Sequence, residues 1–468
     1  MSTDARGGRR ILWNAFAHMT PSHVSFGLWR HPDGRRQLDF ASAEPWIELA
    51  RTLERGKFDL IFFGDIAGTR HTYEDSFDAT LREGLQAPGH DPWTLVGALG
   101  LRTENLGFAL TSSIVGRHPF EFARKVSTLD HLTGGRIGWN VVTSATANVW
   151  ENHGYDRAVA HDDRYAWAEE YIEVVYRLWE DSWEDDAVLA DVESGVYADP
   201  DKVHTIDHVG ERYKVRGPHL AIPSPQRTPL ILQAGSSTAG RAFAARHAEA
   251  TFIAAYSPEA ARPVVDDIRA QAVAAGRHPD DVKVLIPLSA TVAPSKEEAQ
   301  RRFDELQPWR NLEGVLVHLS DIFGVDLAMI DLDTPLETLL ESDATQSTAQ
   351  AVIALFPDRQ ATLRDAIDTQ IARTFVGSTE EFADEIEAWV EAGIDGFNLV
   401  PTTIFTWFEQ FVDEVVPTLR ERGLIQREYE KGPLRAKLFP ADGPRLPDRH
   451  PGLAVRRNIV NQYATDRK

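Results

Sequence analysis

Short apolar runs alternate with amphipathic stretches over most of the chain. Residues 11–16 (ILWNAF) read as a first strand, and 43–56 as a helix that stops at Gly56. Residues 58–63 (FDLIFF) are apolar almost without interruption, the pattern of a parallel strand buried on both faces. A helix over 92–103, a strand over 106–111, a helix over 120–132 ending in Thr133-Gly134-Gly135 and a strand over 137–143 follow. Over 162–179, Tyr165, Ala168, Tyr171, Ile172, Val175 and Leu178 recur at helical spacing and form one buried stripe. After an interruption the alternation resumes: strand 229–234 (PLILQA), helix 238–247, strand 250–254, helix 258–275 and strand 282–290. It closes with helix 379–392, strand 396–401 (GFNLVP) and a final helix near 405–422.

About eight strands, nearly all followed by helices, predict a parallel sheet with right-handed crossovers. A (β/α)8 TIM barrel fits the count best, with an open doubly wound sheet as the alternative. Such a barrel takes about 250 residues, which leaves roughly 200 of the 468 for insertions and tail. The expected organisation is one barrel domain, residues 1–435, interrupted near 180–226 and 307–373. The first insertion is rich in acid, with no Lys or Arg between Glu180 and Lys202, and is read as a solvated excursion. The second is mostly helical and rich in Leu and Ile, as a packed subdomain or lid would be. From Gln426 onward ten Lys+Arg stand against five Asp+Glu, with five prolines. An extended basic arm over 436–468, reaching an oppositely charged neighbouring subunit, is expected there.

Composition removes several chemistries. With no cysteine there is no disulfide, thiolate nucleophile, Cys-ligated zinc or iron–sulfur cluster. A net charge of −22 argues against binding nucleic acid or anionic lipid. No apolar run approaches the roughly 20 residues of a membrane span. The start, MSTDARGGRR, is basic but lacks the apolar stretch of a signal peptide, so a cytoplasmic location is expected.

In parallel α/β folds ligands bind beyond the carboxyl ends of the strands. Those ends read Phe63-Gly64-Asp65, Thr111-Ser112-Ser113, Trp139 to Ser144, Gln233 to Gly240, and Asn398 to Pro401. They are rich in hydroxyls and amides, and Asp65 is the one carboxylate among them. A glycosidase wants two flanking carboxylates, and a metal hydrolase wants converging His and carboxylate ligands. His153, His161, His204 and His208 come nearest to a metal cluster but lack ligand-like spacing, so no metal is expected. The turn 234–240 (AGSSTAG) suits a phosphate, through backbone N–H groups, hydroxyls and the positive end of a helix. It equally suits a simple helix cap by Ser237. In His161-Asp162-Asp163-Arg164-Tyr165, either Asp serves a helix start, while His161 and Tyr165 are spaced to face one ligand.

Taken together, residues 50–65 (ARTLERGKFDLIFFGD), 122–144 (FARKVSTLDHLTGGRIGWNVVTS), 161–165 (HDDRY), 217–240 (GPHLAIPSPQRTPLILQAGSSTAG) and 375–401 (FVGSTEEFADEIEAWVEAGIDGFNLVP) resemble one family. It is the bacterial-luciferase-like superfamily of flavin monooxygenases, in particular the group of nitrilotriacetate monooxygenase component A, EDTA monooxygenase and dibenzothiophene-sulfone monooxygenase. Asn14 with Gly27-Leu28-Trp29 matches the start of the aminopolycarboxylate members.

The resemblance implies a luciferase-like TIM barrel acting as the oxygenase component of a two-component system. Reduced FMN would come from a separate NAD(P)H:flavin reductase, by diffusion or transient contact, with O2 as co-substrate and a C4a-(hydro)peroxyflavin as oxygen donor to a small organic substrate. A homodimer or homotetramer is implied. The family's flavin contacts fall on Asp65, Thr111 or Ser113, Asn140, His161, Tyr165, and Ser236 or Ser237. Ser237 and Tyr165 would take the phosphate or ribityl chain, Asp65 and Asn140 the ring, and His161 the catalytic contact near it. Where relatives run Thr-x-Ser-Thr-Thr-Phe-Asn-x-Pro-Tyr, this chain has Thr111-Ser112-Ser113-Ile114-Val115-Gly116-Arg117-His118-Pro119-Phe120, so no relative's substrate transfers. Arg117, His118 and Arg30 are candidate receivers of an acidic substrate, although a surface role is the commoner fate of an arginine. The rivals are a deazaflavin-dependent dehydrogenase of the same fold and a non-catalytic flavin-binding protein.

Overall fold

Eight short runs of branched and aromatic residues pair in parallel: β1 (Leu12–Ala17), β2 (Leu60–Phe63), β3 (Gly107–Ser113), β4 (Ile137–Val142), β5 (Leu230–Gln233), β6 (Ala250–Phe252), β7 (Lys283–Ala293) and β8 (Gly396–Val400). They lie side by side in the order β6-β5-β4-β3-β2-β1-β8-β7, and β7 pairs with β6 to close the ring. This is the TIM barrel expected from the sequence, seen in a computed structural model that describes residues 10–24, 26–144, 146–235, 237–339, 346–372 and 374–456.

Strand side chains alternate between the two faces. Trp13, Ile61, Phe63, Leu110, Trp139 and Ile231 face outward and join the main core with the helices. Leu12, Leu60, Phe62, Ala109, Leu230, Leu232 and Leu285 face inward and fill the barrel. Leu434 and Leu438 plug its amino end. Gly107, which opens β3, permits this: a Cβ there would lie 2.8 Å from Leu434 Cδ1.

The tail corrects the expectation of an arm. Residues 426–456 fold back onto their own barrel, and 457–468 lie outside the described residues. Arg435 is fully buried, donates to Glu249 at 2.6 and 2.9 Å, and also bonds the Thr228 and Pro229 carbonyls. Arg449 pairs with Asp281 at 2.6 Å, and Arg445 and Arg456 both pair with Asp185. The tail's positive charge thus answers acids of the same chain.

The first insertion begins in the core rather than in solvent. The helix expected to reach residue 179 spans His161–Tyr176 and continues as a π-helical turn, Arg177–Asp181. That turn buries Glu180, whose carboxylate accepts from the Thr228 hydroxyl at 2.6 Å. Two exposed hairpins follow, Val188–Asp191 with Val196–Ala198 and His208–Val209 with Lys214–Val215. The final helix is also broken, by a π-helical segment at Phe411–Val415 just before Pro417. Proline lacks the N–H that would continue the ladder there.

The second insertion, read as a packed subdomain or lid, carries an apolar cluster of its own. Val317, Leu319, Phe323, Leu336 and Leu363 form a separate apolar cluster that takes in Phe26, Tyr73 and Leu85 from the loops above the barrel. The cluster therefore roofs the carboxyl ends of β1 and β2. Among the described residues no helix is long and apolar enough to cross a membrane.

Replacing Arg435 by Ala strands the Glu249 carboxylate in the base and should lower unfolding free energy by about 3–5 kcal/mol in urea titrations. Arg445→Ala, which breaks an exposed pair, should cost under about 1 kcal/mol.

Candidate active site

Asn14, Thr111, Asn140 and Asn398 line the inner wall of the barrel, all buried, with Thr111 and Asn140 toward the carboxyl ends of β3 and β4 and Asn14 and Asn398 midway along β1 and β8. Strand register places them together, with Asn14 opposite Asn398 and Thr111 opposite Asn140. The Asn140 amide donates to the Thr111 hydroxyl at 2.9 Å. The amide oxygens of Asn14, Asn140 and Asn398 have no hydrogen-bond partner. A buried polar atom left unpaired costs on the order of 1–3 kcal/mol, so these oxygens are able to accept from N–H or O–H groups. Phe16, one inward step nearer the carboxyl end of β1 than Asn14, forms an aromatic layer with Phe62 and Phe252, successive ring centroids 5.5 and 4.7 Å apart.

One side of the rim is a connected set. The Ser144 hydroxyl donates to Ser113 Oγ at 2.7 Å. Ser144 itself holds a positive φ of 52°, unusual for a residue with a Cβ. Its carbonyl accepts from Trp150 Nε1 and Arg164 Nη1, which fixes the loop against the helix His161–Tyr176. That helix presents His161 and Tyr165 together, ring centroids 5.2 Å apart. Gln233 Nε2 reaches the Tyr165 hydroxyl at 3.4 Å, and its own Oε1 is buried without a partner. The Tyr165 hydroxyl also lies over Gly240, where a Cβ would stand 2.7 Å away. Ser237 Oγ accepts from Gly240 N at 3.0 Å and starts the helix Thr238–His247. The cap reading of Ser237 therefore holds. Ser236 lies outside the described residues.

Asp65 stands apart, in a charged group beyond β2. Burial, then repulsion from Asp91, pushes its carboxyl up to about 6, against the pull of Arg117 and Lys125. Arg117 pairs with Asp91 at 2.9 Å, and His118 caps the helix Pro119–Leu132, accepting from Phe120 N. Arg30 bonds the Gly27 and Trp309 carbonyls. None of these three is thus a free receiver of an acidic substrate. Gly116 is where it is because the His153 ring lies on it: a Cβ would fall 1.8 Å from Nε2.

The sequence reading missed a second polar group above β1. His18 continues the inward parity of Asn14 and Phe16, a signal that was present in the chain. His18 and His23 pack on Phe16 at 4.9 and 4.7 Å, and both His23 nitrogens lack partners. Burial, then the Arg70 charge, holds His18 down to about 3. Burial keeps His23 and His318 well below the usual imidazole range too. Arg70 donates to Gln86 at 2.6 Å and faces Asp321 at 3.7 Å. These neutral imidazoles, drawn from β1, its loop and the second insertion, form the wall opposite the His161–Tyr165 helix.

The model of the luciferase-like monooxygenase family matches residues 19–396. Dimethyl-sulfide monooxygenase of Hyphomicrobium sulfonivorans is 42% identical over 459 residues, covering 97% of this chain and 95% of that one. Long-chain alkane monooxygenase of Geobacillus thermodenitrificans is 41% identical, covering 96% and 99%. Dibenzothiophene-sulfone and nitrilotriacetate monooxygenases are also among the relatives. A crystal structure of a riboflavin lyase with modified FMN and riboflavin superposes with a TM-score of 0.89 at 36% identity, covering 96% of this chain and all of that one.

Asp65 gives this site a testable sign. Unfolded, its carboxyl ionises near 3.8; folded, near 6. Between those values the folded protein keeps a proton that the unfolded chain has lost, so stability from this group falls as pH rises from about 4 to 6. Asp65→Asn should be more stable than the parent above pH 6, by about 1–3 kcal/mol, with the difference vanishing below about pH 4. Urea unfolding across that range measures it.

Proposed function

The chain belongs to the luciferase-like monooxygenase family and is a flavin-dependent monooxygenase; from that premise we propose that it is an oxygenase component taking reduced FMN from a separate NAD(P)H:flavin reductase. The observation that carries this reading is the set of unpaired amide oxygens inside the barrel, Asn14, Asn140 and Asn398, beside the aromatic layer of Phe16, Phe62 and Phe252. A flat, hydrogen-bonding heterocycle is the ligand chemistry that satisfies both. Reduced flavin, when bound, supplies the electrons that activate O2, one atom of which enters the substrate while the other leaves as water.

The chain's own groups then divide the work. Ser237 and the positive end of the helix Thr238–His247 hold the phosphate, with the Tyr165 hydroxyl beside it. Thr111, Ser113 and Asn140 take the ring edge, and Asp65 orients it from the β2 side. His161, at the start of its helix, is the catalytic contact near the ring. His18, His23 and His318 offer neutral, desolvated polar atoms to the substrate face, and being uncharged they do not draw in water as ions would. The roof formed by the second insertion excludes solvent. A site of amides, hydroxyls and neutral imidazoles suits a reaction whose reactivity resides in the cofactor.

The test is a coupled assay with a flavin reductase, NADH and FMN, read by mass spectrometry against sulfides, alkanes, sulfones and aminopolycarboxylates. Product should require both O2 and reduced FMN; turnover without O2 supports the dehydrogenase rival, and flavin binding without product against every class supports a binding protein. Ser237→Ala should weaken FMNH2 binding by about tenfold in anaerobic fluorescence titration. His161→Ala should lower product and raise peroxide released per NADH, and unchanged coupling would remove His161 from the reaction.

A further inference from the structure

The second insertion holds a cavity of about 350 Å3, walled also by Val24 and Phe26 of the loop after β1. Its wall is mixed: Val24, Phe26, Val315 and Ile367 are among its apolar residues, and Arg310, His318, Arg364 and Asp368 among its polar and charged ones. Its size falls in the roughly 300–1,000 Å3 range of small-molecule pockets. It adjoins the mouth through His318, which packs on Phe26 at 5.4 Å and feels the charge of Arg70 and the imidazole of His18.

Arg310 is the unexplained group. Its Nε and Nη2 are buried with no hydrogen-bond partner, and it has no ion pair among the described residues. Its guanidinium lies 5.8 Å from the Phe303 ring, and desolvation alone lowers its pKa. Of the other charged groups on the wall, Arg364 is held by Asp333 at 3.0 Å, outside the cavity, and also feels Asp368, which stands on the wall. Nor is Arg310 on a loose loop. Arg30 donates to the Trp309 carbonyl at 2.8 Å, Asn311 N bonds the Phe26 carbonyl at 3.1 Å, and Asn311 Oδ1 caps the helix Leu312–Phe323. A desolvated cation held in place without a counter-charge is costly in a folded protein unless something pairs with it.

We propose that this cavity receives the anionic end of the substrate, a carboxylate or sulfonate on an apolar chain, with Arg310 as its counter-ion and the chain directed past His318 toward the barrel mouth. This rests on the monooxygenase reading and narrows its substrate to small amphipathic anions. Arg310 is thereby a specificity residue, remote from the reacting atoms. Guanidinium pairs with carboxylate or sulfonate through charge-assisted hydrogen bonds, which a neutral head group cannot replace.

Calorimetric titration of the flavin-free protein with octanoate, 1-octanesulfonate and 1-octanol tests it directly. Both anions should bind at least about tenfold more tightly than the alcohol. Arg310→Met should erase that preference while FMNH2 affinity stays at the parent value, which also shows that the variant is folded. Ile367→Phe, which fills the cavity from the opposite wall, should weaken both anions. Equal binding of octanol and octanoate, or an anion preference that survives in Arg310→Met, overturns the proposal. Because no flavin or O2 enters these titrations, the preference can stand when oxygenation fails, and oxygenation can stand when the preference fails.

Discussion

Parallel pairing is the constraint on which the rest depends. Eight strands that all run one way must deliver their carboxyl ends to one rim and their amino ends to the other. With side chains alternating at a period of two, every second residue faces the same enclosed space. Asn14 and Asn398, Thr111 and Asn140 come from four strands spread along the chain, yet register makes each pair neighbours and parity turns all four inward. The two rims then diverge in chemistry. At the base Arg435 and Glu249 bond each other, and the Asp130 carboxylate is bonded by the Gln226 side chain and backbone. Higher in the barrel the amide oxygens of Asn14, Asn140 and Asn398 have no partner. Paired polar groups at the base stabilise the barrel, and unpaired ones above cost it stability.

What was legible in the sequence follows from the same constraint. Strands such as β2 and β4 are buried on both faces, so they stand out as continuous apolar runs, and the barrel and its mouth hydroxyls and amides could be read from them. Thr111, Asn140, Tyr165 and Ser237 could be nominated because Thr111 and Asn140 lie near the carboxyl ends of their strands, Ser237 caps a helix, and Tyr165 follows His161 by one turn. His18 escaped only because the end of β1 was not followed by parity. His23, Arg70, His318 and Asp321 left no such trace, because their meeting depends on a loop and an insertion roughly 300 residues apart folding over the same rim.

Charge was the least legible feature. A surplus of basic residues in the tail looks the same in sequence whether it seeks a partner subunit or the acids of its own barrel; Arg435, Arg445 and Arg449 do the latter. Likewise Arg117 looked available for substrate, yet Asp91 already neutralises it. Arg310, unremarkable in sequence, has two guanidinium nitrogens buried without a partner and no ion pair among the described residues. Where a charge ends is set by long-range packing, which local pattern does not encode.

The central claim is that the amide-lined barrel interior seats the reduced flavin. A crystal structure determined after anaerobic soaking with FMNH2 tests it most directly. The account predicts the ring between Asn140 and the wall carrying His18, beside Phe16 and Phe62, with the phosphate at Ser237. A flavin bound in the second insertion's cavity, or elsewhere with the barrel amides still unpaired, would contradict it.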